Sequence, residues 1–347
     1  MNTRALCLVL AAMSMAGCAN FSGLDTQGQR LDANTLQTGK SLSGVTLSSA
    51  AWPRADWWKS LGDPQLDSLI SEALQNSPDM QVASARAHQA EAAAYAANAA
   101  RMPTLDASAG VSRSRLARDQ DPLGQGDAYS TVRNIGASFN YNFDLWGGQR
   151  AAWEAALGQA RAAEVDQQAA RLTLAADVAK AYSDLGQAHI VRDLAIDDLK
   201  RTRTMLDLSR RRLNSGIDSQ YQYQQTESLE ASSQSQLIDA EKQLQSAKIA
   251  LAVLLGKGPD RGNELARPSV LKPNAVAVPS VLPAELLGRR PDLIAARWRV
   301  EAASKNIAAG KASFYPNLNL SASAGAESLL GDAMFGSASR FFNIAPT

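Results

Sequence analysis

When the chain is shifted against itself by 213 residues, two stretches superimpose without a gap. Leu69, Glu72 and Leu74 fall on Leu282, Glu285 and Leu287, and Pro78-Asp79 falls on Pro291-Asp292. Arg86 meets Arg299, Pro103 meets Pro316, and Leu105 meets Leu318. In both copies the two prolines enclose 24 residues, which chance rarely supplies. A chain of this kind repeats one supersecondary unit, so its fold is decided by what the unit is.

The first copy shows the unit in full, over 61–256. Asp63 before Pro64 is a helix start, and the alanine content makes 64–101 helical, with Pro78 as a break or restart. Residues 104–112 then alternate, with Leu105, Ala107, Ala109 and Val111 on one side and Asp106, Ser108, Gly110 and Ser112 on the other. A polar connection leads to a second alternating run over 134–145. There Ile135, Ala137, Phe139, Tyr141, Phe143 and Leu145 share a face opposite Asn134, Gly136, Ser138, Asn140, Asn142 and Asp144. Runs of nine to twelve residues, apolar on one side and polar on the other, suit strands that cross a membrane around a wet lumen. They equally suit half-buried strands of a soluble sandwich; the aromatics at the end of the second run and the long polar connection tilt the balance to the membrane.

From Gln149 to Leu213 there is no proline, and apolar residues recur at sevens. Val178, Leu185, Leu199, Leu206 and Leu213 form one series, interrupted by Arg192, and Tyr182, His189 and Ile196 follow four residues on. This is coiled-coil spacing, and a helix over 149–213 would be roughly 100 Å long. Asn214-Ser215-Gly216 stops it, Asp218 or Ser219 caps its successor, and a return helix over 219–256 carries Leu237, Leu244 and Leu251 at sevens. A hairpin of that length cannot fold into a compact globule and must pack on neighbours or other chains. A proline-rich connector, 257–283, leads to the second copy, 284–347.

The N-terminus carries an address. Arg4 precedes the apolar run Ala5 to Gly17, which is short for a membrane span and right for a signal peptide over 1–17. Met15-Ala16-Gly17-Cys18 resembles a bacterial lipobox, which makes Cys18 the lipid-bearing first residue of a mature chain and 18–60 an extended, polar lead-in. Ala19 stands where an Asp would resemble an inner-membrane retention signal, so the outer membrane is the expected destination. No other run reaches 18 apolar residues, which leaves strands to make any crossing.

Composition narrows the chemistry. Basic and acidic residues number 35 and 34, so no polyanionic partner is implied. Two cysteines, both within the first 18 residues, and two histidines about a hundred residues apart leave little for metal or thiol chemistry. There is no phosphate-binding loop and no nucleophile elbow. The expectation is a non-enzyme without a cofactor.

Taken together, the lipobox, the duplicated helix–strand–strand–helix–helix unit, FDLWGGQRAA from Phe143, LNSGIDS from Leu213 and RRPDL from Arg289 resemble the TolC-type outer-membrane efflux factors, in particular the lipoprotein branch that serves tripartite pumps. The resemblance implies an α+β membrane protein whose barrel strands continue into a long periplasmic α-helical coiled-coil barrel. It implies a homotrimer in the full-length form, each chain giving four strands to one barrel. Its partners would be a periplasmic adaptor and an inner-membrane pump, and its cargo drugs or other small molecules. Adaptor docking would fall on the tip, Gly216, Ile217, Asp218 and Ser219, and the strand-to-helix junction on Asp144, Gly147, Gly148 and Arg150. A structural periplasmic coiled-coil lipoprotein is the alternative; it explains the heptads but not the alternating segments.

The 213-residue offset places residue 347 opposite 134. The second copy is therefore expected to hold a helix and its first strand only, without a second strand or either long helix. On that count this form is an incomplete fragment, expected neither to assemble stably nor to restore efflux, because unpaired strand edges in lipid are costly.

Overall fold

A computed structural model of the chain describes residues 47–48, 56–115, 129–269, 278–279, 290–329 and 334–347. The signal peptide expected at 1–17, Cys18 and most of the lead-in lie outside the described residues, as do 270–277 and 280–289 of the connector. Six strands and six α-helices follow in chain order among the described residues, with short 3-10 helices at Trp57–Leu61 and Ser337–Ser339. A two-residue strand β1 (Leu47–Ser48) precedes α1 (Pro64–Asn76) and α2 (Pro78–Ala99), then β2 (Thr104–Arg115) and β3 (Tyr129–Phe143). The long helix α3 (Gly148–Asn214) turns into α4 (Gln220–Leu254). After these come the single turn α5 (Asp260–Asn263), β4 (Val278–Pro279), α6 (Pro291–Ala312), β5 (Leu318–Ser328) and β6 (Arg340–Pro346).

The helix expected over 64–101 is two helices. Ser77 between them is extended at φ −61°, ψ 129°, as the residue before a proline prefers, and its N–H still closes the first helix on Ala73 O. Both strands run past their expected ends, β2 to Arg115 and β3 back to Tyr129, while β3 stops at Phe143 because Asp144 turns the chain.

One expectation is corrected. The second copy is not limited to a helix and one strand: β6 pairs antiparallel with β5 from Leu320↔Pro346 to Ala326↔Arg340. Because β3 begins at Tyr129, its counterpart by the 213-residue offset begins near 342 and not beyond the last residue. The segment RFFNIAP also places Phe341 and Phe342 on opposite faces, so it shows no alternation to read.

The described residues form two compact units. One, from 88–162 and 295–347, holds a four-stranded antiparallel sheet in the order β2-β3-β5-β6. Its helices are packed with very small side chains. Ala151, Ala155 and Ala162 of α3 and Ala295, Ala302 and Ala312 of α6 are buried, and a Cβ on Gly158 would sit 3.0 Å from that of Ala302.

The other unit, from 31–87 and 163–294, has a conventional apolar core. Leu66, Leu69, Ile70 and Ala73 of α1 pack with Leu174, Val178, Tyr182 and Leu185 of α3 and with Leu244, Leu251 and Leu255 at the end of α4. Gly256 (φ +68°) ends that helix against the α1–α2 break, where an added Cβ would meet Asn76 O at 2.5 Å. Only glycine allows that approach. Arg261 of α5 forks onto Glu72, with contacts of 2.9 and 3.2 Å. The heptad series is buried at Val178, Leu185 and Leu199, but Leu206 and Leu213 are half-buried and Ile196 is exposed.

Candidate functional site

The sheet, the strand-to-helix junction and the helical tip are built by different rules. In the sheet the ladder is continuous, with no bulge. Leu105 pairs with Phe139, Ala107 with Ala137 and Ala109 with Ile135, and β3 in turn sets Phe139 on Ala322 and Tyr141 on Leu320. On β6, Ala324 meets Phe342 and Ala322 meets Ile344. Directly paired residues share a face, so the apolar positions of all four strands form one surface. Leu105, Val111 and Phe342 are 70–82% exposed on it. The reverse face carries Asp106, Ser108, Ser138, Asn140, Asn319, Ser321 and Ser323. Along β3 the apolar face runs from Phe143 to Ile135, roughly 27 Å at about 3.4 Å per residue, which suits a tilted strand crossing a hydrocarbon layer. At the centre of the polar face Gly136 pairs with Gly325, and the Phe341 ring lies over both, 3.7 and 3.0 Å from where their Cβ atoms would be.

At the junction, Asp144 does the work of a helix cap. One carboxylate oxygen accepts from Gln149 N at 3.1 Å and the other from Arg150 N at 2.8 Å, satisfying two N–H groups that α3 leaves free. Gly147 takes φ +72°, the left-handed turn that swings strand into helix. Gly148 is small for a different reason: a Cβ there would lie 2.8 Å from Ala312 Cβ on α6. Arg150 pairs with Glu154 at 2.9 Å, and Lys305 of α6 reaches the same carboxylate at 2.6 Å. Those two cations, Lys305 first, hold the Glu154 carboxyl below its ordinary value. Trp146 stacks on Tyr315 with centroids 4.6 Å apart and donates its indole N–H to Pro316 O at 2.9 Å. The junction of the first copy is thereby bound to the helix–strand corner of the second, a contact that local sequence could not reveal.

At the tip, Gly216 (φ +72°) ends α3 in a Schellman turn. Ile217 N donates to Arg212 O at 2.9 Å and Gly216 N to Leu213 O at 2.9 Å. Arg212 holds Asp218 at 3.0 Å. Ser219 caps α4 in a capping box with Gln222, whose side chain accepts from Ser219 N at 2.8 Å. Ile217 and Tyr221 are exposed at 64% and 73%, so the rigid turn presents apolar groups to solvent. Cys18 lies outside the described residues.

Two further arrangements went unread in the sequence. Asp63, expected only as a helix start, also accepts from Tyr182 Oη at 2.9 Å and Ser269 Oγ at 2.6 Å. Burial pushes its carboxyl up, but the bonds from Ser269, Tyr182, Leu66 and Gln65 outweigh that and hold it below the ordinary aspartate value. Burial first, and then Asp63, push the Tyr182 phenol upward. Nearby, Arg267 pairs with Asp193, and Pro268 lies over Gly186, which strap residues 267–269 to α3. Among the described residues no helix is long and apolar enough to cross a membrane, and no group of three or more His, Cys, Asp or Glu could hold a metal ion.

The family model described as outer membrane efflux protein matches residues 69–257 and 282–347. Its two matched stretches begin at Leu69 and Leu282, the very pair that the 213-residue offset superimposes. The chain belongs to the outer membrane efflux protein family.

Among curated relatives of the family, the fusaric acid resistance protein FusA of Burkholderia cepacia is 36% identical over 93% of this chain and 61% of its own length. The multidrug resistance outer membrane protein MdtP of Escherichia coli is 30% identical over 98% of this chain and 71% of its own. The chain thus spans about three-fifths to seven-tenths of these relatives. Among solved structures, the outer membrane protein VceC of Vibrio cholerae superposes with a TM-score of 0.73 at 33% identity, covering 85% of this chain and 70% of VceC. The Campylobacter jejuni channel CmeC gives 0.79 at 20% identity over 95% of this chain and 69% of its own, a likeness of fold alone. As for its relatives, the cellular address is the outer membrane.

Proposed function

We propose that the chain is the outer-membrane channel subunit of a tripartite efflux pump, conducting drugs or other small molecules passively from a periplasmic adaptor and inner-membrane pump to the exterior. The single observation that carries this is the sheet register: four strands from two repeat copies align their apolar pairs, such as Leu105 with Phe139 and Ala322 with Ile344, on one face and mostly serines, asparagines and glycines on the other. A lumen needs the polar face and lipid needs the apolar one. In this reading the sheet is part of a barrel shared by three copies, and α3 and α4 contribute to a periplasmic helical tunnel. Cys18 carries the lipid anchor. The tip at Gly216–Ser219 docks the adaptor, its Schellman turn and capping box presenting Ile217 at low entropic cost. Conduction requires no reactive group and no cofactor.

Single cysteines along β3 test the proposal in outer membranes. Ser138→Cys and Asn140→Cys should react with a membrane-impermeant maleimide, and Ala137→Cys and Phe139→Cys should stay silent. Cys7 leaves with the signal peptide and the Cys18 thiol is consumed by lipid, so the background is low. Equal labelling of both parities would sink the proposal.

A further inference from the structure

The four described strands of the sheet contain four arginines and two carboxylates, and the register sorts them by face. Arg113 and Arg115 follow Val111 on its face; Arg133 pairs with Val111 itself, and Arg340 with Ala326, which also meets Ile135. All four therefore stand on the apolar face. Asp106 pairs with Ser138 and Glu327 with Asn134, so both carboxylates stand on the other. The arginines also share one end of the sheet. They lie beyond Ile135 and Val111, where β2 runs out and β3 begins, at the end opposite the junction with α3.

We infer that this arginine rim binds the phosphate groups of an anionic glycolipid, lipid A or its like, in the outer leaflet. The inference rests on the channel proposal above, since it needs the apolar face to meet lipid. With the helices on the periplasmic side, the arginine end sits at the external headgroup level, where phosphates are found. Arg113 and Arg133 are diagonal neighbours on adjacent strands, and like charges so placed repel unless an anion lies between them. Arg113, Arg115 and Arg340 are exposed and Arg133 is half-buried. Arg113 stacks over the Tyr129 ring at 4.7 Å, and Arg340 donates to Phe335 O at 3.4 Å. Guanidinium groups are suited to this task, because their forked donors match phosphate oxygens and stay charged at every relevant pH.

The test reconstitutes the chain in phosphatidylcholine vesicles containing a trace of fluorescent lipid A, or of the same lipid dephosphorylated. Insertion is scored separately, by protection of the strands from protease. Each arginine beside an anionic lipid contributes roughly fivefold. Wild type should therefore enrich lipid A over its dephosphorylated form by at least about tenfold, allowing for mutual screening. R113Q/R133Q/R340Q should insert equally and lose the preference, whereas R113K/R133K/R340K and the helical control R201Q/R210Q/R211Q should keep most of it. A chain that inserts but holds both lipids equally would overturn the rim and leave the channel proposal standing. A chain that fails to insert in any vesicle would overturn both.

Discussion

The Asp63 cluster offers a prediction whose sign is unusual. Asp63 is 5% exposed and accepts four hydrogen bonds, from Gln65 N at 2.9 Å, Leu66 N at 3.2 Å, Tyr182 Oη at 2.9 Å and Ser269 Oγ at 2.6 Å. Asp63→Ala removes the N-cap of α1, worth about 1 kcal/mol. It also strands the Tyr182 hydroxyl, whose residue is 1% exposed, at a cost of about 2 kcal/mol for an unpaired buried donor. Gln65 Nε2 cannot relieve this, because it already donates to the same oxygen at 3.3 Å. The expected loss is about 3 kcal/mol. Tyr182→Phe in the wild-type background should cost only about 1 kcal/mol, since the carboxylate keeps its other three donors.

In the Asp63→Ala background the same Tyr182→Phe change should be neutral or stabilising, because it deletes the stranded hydroxyl. Urea unfolding of the detergent-purified chain, followed by far-UV circular dichroism, gives all four corners of the cycle. Amide hydrogen exchange at Ser269 gives a second readout and should quicken in Asp63→Ala, whose strap has lost its Ser269 anchor. If Tyr182→Phe costs the same in both backgrounds to within about 0.5 kcal/mol, the hydroxyl and carboxylate are not coupled and the reasoning fails.

Acid should act on the same cluster: the Asp63 pKa is lowered by folding, so its contribution is complete above the ordinary aspartate value of about 3.9 and lost as pH falls through the lower folded value. A melting-temperature series against pH should show that loss in wild type and not in Asp63→Ala. His189 behaves alike near neutrality. Burial, then Arg192, Arg267 and Lys248, depress its pKa against the opposing pull of Asp193, so stability is full above about 6.5 and falls as pH drops through the folded value. His189→Gln should flatten melting temperature between about pH 6.5 and 5, and an unchanged slope would clear the residue. At the junction, Gly148→Val should cost about 1–3 kcal/mol by overlap with Ala312, whereas Gly147→Ala, with open space around it, should cost only the 1–2 kcal/mol of its left-handed φ; thermal melts rank the two. At the tip, Ser219→Ala should cost about 1 kcal/mol and show as faster amide exchange confined to the first turn of α4, with α3 unaffected.

Most of the architecture was legible because each element obeys a local period: α3 its heptads, β2 and β3 their alternation, the tip its Asn-Ser-Gly stop. The errors at strand ends have one physical source. Alternation is legible only while one face stays apolar, so the sequence pattern of β2 ends at Ser112, just before Arg113, and that of β3 begins at Asn134, just after Arg133. Those arginines occupy the apolar face, and the backbone pairs straight through them, Arg113 with Thr131 and Arg115 with Tyr129. Hydropathy reports the surroundings a side chain suits, while the ladder reports backbone hydrogen bonds, and the two part company where arginines stand on an otherwise apolar face. The Asp63–Tyr182–Ser269 cluster was illegible for another reason: its members lie 119 and 206 residues apart, and nothing local in any of them announces the others.

The two copies diverge beside a proline that they share. Position for position, Tyr315 corresponds to Met102 and Pro316 to Pro103 under the 213-residue offset. Met102 is exposed, whereas Tyr315 stacks on Trp146 and Pro316 accepts its indole N–H. The prolines are common to both copies because each must end a helix and begin a strand, a demand of the backbone alone. Beside them the second copy carries Tyr315, which meets the first copy's junction at Trp146. Substituting Tyr315 by Met, the residue its own twin carries, should loosen the junction while leaving the strand register intact, and hydrogen exchange at Gln149 and Arg150 against that across β3–β5 would separate the two.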